Sequence, residues 1–128
     1  MLSDLKETSA VAVHFIRPDE IETTLNIPEF SVMEGSVGDV KTDKELFAVV
    51  ASSMQFPDYF GNNWDALDDC LMDMEYWLPA DGYLLILRDA AKGWSQCPYV
   101  LGRFVETWLL ASERWAEQKK PFHLIFIM

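Results

Sequence analysis

Asp65, Asp69 and Asp73 recur at every fourth residue, with Asp68 beside them. On a helix that spacing lines the first three along one face, where like charges destabilise by about 0.2–0.5 kcal/mol per pair. Only Asp65 would stand early enough to gain from the positive end of the helix dipole, which fades within a turn. A row of carboxylates set against helix stability suits two kinds of chemistry. It can meet cationic side chains of a partner protein, or it can hold a hard divalent ion such as magnesium for an enzyme. Metal-dependent enzymes of that kind draw ligands from several elements and need a basic phosphate clamp, and none is evident. No glycine-rich phosphate loop, zinc-ligand spacing or nucleophile–base pair occurs either. The expectation is a non-enzymatic binding surface with no metal and no cofactor.

The surrounding residues must position that surface. Phe56-Pro57-Asp58 cannot continue a preceding helix, because proline lacks the N–H and restricts its neighbour. Gly61 and Asn62 tolerate left-handed backbone angles, and Asn62 or Asn63 can cap a helix starting at Trp64. Trp64, Leu67, Leu71 and Met74 then recur at helical spacing, with Cys70 beside them, so one stripe faces a core.

The run YFGNNWDALDDCL resembles the signature of the barstar family, small intracellular inhibitors of barnase-type ribonucleases. A tyrosine-aromatic-glycine-x-asparagine loop leads there into a helix reading x-D-A-L-x-D-C-L. Tyr59, Phe60, Gly61, Asn63, Asp65, Ala66, Leu67, Asp69, Cys70 and Leu71 stand at matching positions without gaps. The resemblance covers about residues 29–128 and implies an α/β fold with a small, mainly parallel sheet packed with helices. It also implies a function: this loop and helix plug the active site of a basic ribonuclease. Asp69 would sit where a substrate phosphate goes, with Tyr59, Asn63 and Asp65 around it. The chain departs from the pattern at Asp68, where the best-known member has tryptophan, at Trp64, where an aliphatic residue is usual, and after Leu71, where MDMEYW replaces a threonine-glycine-tryptophan run. These departures bear on which target is bound more than on how.

Composition agrees with that reading. The 128 residues allow one domain with a real core, and half of them are hydrophobic. Twenty-one acidic against ten basic residues give a net charge of −11. Binding to nucleic acid needs a basic footprint, so it is disfavoured, whereas a basic protein partner would be steered in. Two cysteines, Cys70 and Cys97, make no disulfide framework, the N-terminus is unlike a signal peptide, and no apolar stretch has the length of a membrane span. A reduced cytoplasmic setting away from membranes is expected.

Along the rest of the chain, Val11–Ile16 reads as a strand, and Pro18-Asp19-Glu20 starts a short helix through Leu25. Phe30–Met33 reads as a strand followed by a loop holding Gly35 and Gly38. Thr42 and Glu45 form a capping box for a helix running towards Met54. Tyr83–Leu87 and Phe122–Ile127 are continuous apolar runs, as suits parallel strands covered on both faces. Between them Val100–Gln118 is an amphipathic helix. Three strands in βαβ order are expected, and residues 1–28, an extension outside the recognised domain, could add an edge strand of undetermined direction.

Each candidate also has a plain structural explanation. Asp65 could be only a helix N-terminal carboxylate, Asp68 and Asp73 a solvated face that contributes to the field, Tyr59 a packed loop aromatic, and Asn63 mainly a cap. Trp77, Trp94 and Trp108 suit packing, Glu106 and Glu113 a solvated helix face, and His14 and His123 strand structure. Asp69 is the hardest to explain structurally. The expected binding surface is Tyr59, Asn63, Asp65, Asp68, Asp69 and Asp73, directed at a basic, barnase-like ribonuclease or related toxin, as in an immunity protein or toxin–antitoxin pair. A non-inhibitory acidic adaptor for another basic protein is the alternative.

Overall fold

The computed structural model describes residues 5–8, 11–20 and 27–128. In chain order it contains β1 (Val13–Ile16), a 3-10 turn (Pro18–Glu20), β2 (Phe30–Ser36), α1 (Asp43–Ser53), α2 (Trp64–Met72) and a second 3-10 turn (Met74–Tyr76). β3 (Gly82–Arg88), α3 (Ala90–Gln96), α4 (Pro98–Glu117) and β4 (Phe122–Ile127) complete it. The strands form a four-stranded sheet in the order β1-β4-β3-β2, and every pairing is parallel. This is the α/β architecture expected, with the N-terminal strand present and its direction now fixed beside β4.

The apolar runs of β3 and β4 are continuous because both faces of the central strands are covered. Tyr83, Leu85, Leu87, Phe122, Leu124 and Phe126 point into the main core, where they meet Leu46, Leu67, Leu71, Phe104, Trp108 and Trp115 from the helices. The alternate residues Leu84, Ile86, Ile125 and Ile127 face the other way, against Leu5, Ile16 and Ile27. His123 lies on this second face, almost wholly buried, with its Nδ1 3.0 Å from His14 Nε2 on β1. Leu5, Ile16 and Ile27 thus pack on a sheet face to which no described helix contributes a buried apolar residue.

Three local readings change. β2 runs on through Gly35, which pairs with Leu87 and is not in a loop. A side chain at Gly35 would run into Ser53 Oγ and stand 3.1 Å from Val49 Cγ1, so glycine lets the end of α1 lie close on the strand. The short helix expected through Leu25 appears as the 3-10 turn Pro18–Glu20, and residues 21–26 lie outside the described residues. β1 begins at Val13, two residues later than expected.

The capping box of α1 forms with a shift. Glu45 N–H donates to Thr42 Oγ1 at 3.1 Å, while Glu45 Oε1 accepts from the backbone N–H of Lys41 at 3.0 Å, one residue before the cap. Helix α3 was not expected. It starts after Asp89, which adopts left-handed angles (φ 56°) and accepts a 2.7 Å hydrogen bond from Ser36 Oγ. Helix α4 begins two residues earlier than the apolar spacing suggested, at Pro98, whose missing N–H costs nothing at a first helical position. Gly102 sits inside α4, where glycine costs about 1 kcal/mol relative to alanine. A Cβ there would meet nothing within 4 Å, so packing does not require it.

Candidate partner-binding site

The loop before α2 is built by alternation. Phe60 turns inward, 8% exposed, edge-on to Phe47 and Phe56, and its N–H closes a turn onto Pro57 O at 3.1 Å. Tyr59 is thereby turned outward and is 69% exposed. Its phenol is held above its ordinary value by desolvation, with Cys70 and Asp73 adding to the effect. Of the two expected turn residues only Asn62 is left-handed (φ 53°), and Gly61 is not.

Asn63 is the cap. Its Oδ1 accepts from Ala66 N–H at 2.8 Å, and its Nδ2 donates to Gly61 O at 3.3 Å. Both ends of its amide are thus used within the chain. Trp64, half-buried at the first turn of α2, donates Nε1–H to Asp43 Oδ2 at 3.0 Å and packs edge-on to Phe47. Leu67, Cys70 and Leu71 are buried, as the spacing predicts. At the far end Trp115 Nε1 donates to Leu71 O at 2.9 Å, satisfying a carbonyl the helix leaves open. The helix is pinned at both ends and along its inner face.

Asp65 and Asp69 stand exposed on its outer face, and no ion pair among the described residues involves either. Asp68 differs: its Oδ2 lies 3.7 Å from Arg114 Nη1 on α4, so part of its charge is balanced internally. Asp73 is not a helical residue. It is the C-cap of α2, its N–H bonded to Asp69 O and Cys70 O, both at 3.1 Å, and Met74 belongs to the 3-10 turn beyond it. A carboxylate there faces the negative end of the dipole. Cys70, beneath Asp69 and Asp73, has its thiol raised first by burial and then by those two charges, so it stays protonated and unreactive at neutral pH. Cys97 is also buried, its Sγ donating to Val40 O at 3.1 Å.

Among the described residues no group of three or more His, Cys, Asp or Glu side chains is placed to hold a metal ion. Sequence reading missed three neighbours of the surface. Arg114 reaches Asp68, Arg103 lies over the Trp64 ring at 4.7 Å, and Tyr76 is 86% exposed on the turn after α2. The two arginines stand eleven residues apart on α4 and therefore share a helix face, a signal that had no meaning until α4 was known to lie beside α2. Among the described residues no helix is long and apolar enough to cross a membrane.

The molecule is a parallel α/β domain that displays a capped acidic helix preceded by an outward tyrosine. The family model described as Barstar (barnase inhibitor) matches residues 30–127, and the chain belongs to that family. No curated protein matches the chain.

Proposed function

We propose that this chain inhibits a basic ribonuclease by occluding its active site with α2 and the loop before it. The observation that carries the reading is the exposure of Asp65 and Asp69 on a helix held rigid from both ends. Neither carboxylate serves an ion pair among the described residues, and their repulsion works against the helix. Such groups gain when a partner supplies cations, and a ribonuclease site is cationic because its substrate is a polyphosphate. Asp69 enters as the anionic anchor in place of a phosphate, Asp65 supports it, and Tyr59 packs at the rim. Asn63 acts by holding the loop and helix in register. Asp68 and Asp73 contribute mainly to the field that draws a basic partner in. No step of this action is catalytic.

Titration of the chain into a barnase-type ribonuclease, with RNA hydrolysis as readout, tests the proposal. Wild type is expected to suppress hydrolysis at near-stoichiometric ratio, and Asp65→Ala/Asp69→Ala is expected to lose that effect. Hydrolysis that continues unchanged with wild type, or equal inhibition by both proteins, overturns it.

A further inference from the structure

Gly102 is a helix-interior glycine whose absent side chain has no neighbour to avoid. It forms the floor of a shallow groove of about 370 Å³ lined by Pro98, Tyr99, Gly102, Arg103 and Glu106. Tyr99 forms one wall and, at 82% exposed, leaves its ring face open to a partner. Glu106, one helical turn beyond Gly102 and two beyond Tyr99, is exposed and takes part in no ion pair among the described residues. Arg103 also lines the groove, and its guanidinium is held over the Trp64 ring and not on Glu106. That stacking links the groove to Trp64 in the first turn of α2.

We propose that this groove receives an arginine side chain of the same basic partner that α2 engages. The planar guanidinium lies on the Tyr99 ring, reaches the Glu106 carboxylate, and comes close to the α4 backbone where Gly102 leaves space. A cation is the fitting occupant because the groove offers an aromatic face and an unpaired carboxylate on a chain of net charge −11. An anion would meet that charge with only the engaged Arg103 to welcome it. The identity of the partner rests on the inhibitor reading above, whereas the chemistry of the groove stands on its own residues.

Two measurements on the full chain test the groove and the partner separately. In the first, N-acetyl-arginine amide is titrated against the labelled protein and the amide and aromatic resonances are followed. Saturable movement is expected at Gly102, Tyr99 and Glu106. Gly102→Leu, which adds a side chain where a Cβ meets nothing within 4 Å, and Glu106→Gln are each expected to weaken that response by about fivefold or more, while Asp65→Ala/Asp69→Ala leaves it in place. Movement confined to the α2 aspartates, or a groove response that survives Gly102→Leu, overturns the groove. In the second, Gly102→Leu is compared with wild type as an inhibitor of a barnase-type ribonuclease. Weaker inhibition with thermal stability unchanged or raised, as loss of a helix-interior glycine predicts, places the groove in the same interface, and unchanged inhibition removes it from that interface. A wild type that inhibits nothing but still shows the groove response counts against the inhibitor reading and not against the groove.

Discussion

Arg114 on α4 brings its Nη1 to 3.7 Å from Asp68 Oδ2 on α2, so the acidic surface carries its own counter-charge. The pair is part-exposed, at 55% and 37% of the side chains, and partly exposed pairs contribute about 0–1 kcal/mol to stability. Its larger effect is on the field. Arg114→Ala is expected to leave the denaturation midpoint nearly unchanged while speeding association with a basic partner a few-fold at low salt. Stopped-flow association rates check this, and the gain is expected to vanish as salt screens the surface over about 10 Å. An on-rate indifferent both to salt and to Arg114 would remove steering from the account.

Asp69 and Asp73 separate anchor from field. Asp69 projects from the middle of the exposed face, whereas Asp73 has slipped to the helix end. Truncating a charged anchor that becomes buried on binding leaves partner cations unpaired and costs about 2–5 kcal/mol. Asp69→Ala is therefore expected to raise the inhibition constant by a hundredfold or more, at about 1.4 kcal/mol per tenfold, and Asp73→Ala by only a few-fold. Equal, small effects at both positions would take the anchor role from Asp69.

Asn63 gives a test in which stability and binding part company. Its side chain satisfies the Ala66 N–H, so Asn63→Ala is expected to lose about 1 kcal/mol in urea unfolding. Asn63→Ser keeps the cap and is expected to keep most of that stability. Inhibition by Asn63→Ser near the wild-type level identifies the residue as a positioning group, while a large loss with stability retained would give it a direct contact with the partner.

Local chemistry made much of the framework legible. Asn63 and Thr42 show themselves as caps because cap bonds span only three residues. Phe122–Ile127 shows itself because a buried parallel strand is apolar throughout. Helix α3 escaped because AAKGWSQ is too short to display a period and its start depends on a left-handed Asp89, which the sequence does not announce. Gly35 suggested a loop because its purpose is a close approach by α1, visible only in three dimensions. The charge on the acidic face was over-read for the same reason. Asp68 is partly balanced by a residue 46 positions away, and nothing in either local sequence connects them.

The histidine pair makes the seam between β1 and β4 sensitive to acid. His14 is lowered from its ordinary 6.5 to about 4, first by burial and then by the charge of His123, and His123 is lowered as well, chiefly by burial. At 3.0 Å one ring donates to the other, and two protonated rings would direct N–H groups at each other. A folded-state value below the unfolded one means that the unfolded chain binds more protons in between. The stabilising contribution is therefore fully present above the unfolded pKa near 6.5 and is lost as the pH falls from there through about 4. Carboxylates also titrate towards the acid end, so the comparison needs a variant. Urea midpoints measured from about pH 7 down to about pH 5 are expected to fall more steeply for wild type than for His14→Phe, which cannot take up the proton. Parallel curves for the two proteins would show that His14 has no part in the acid response, whatever the absolute stabilities.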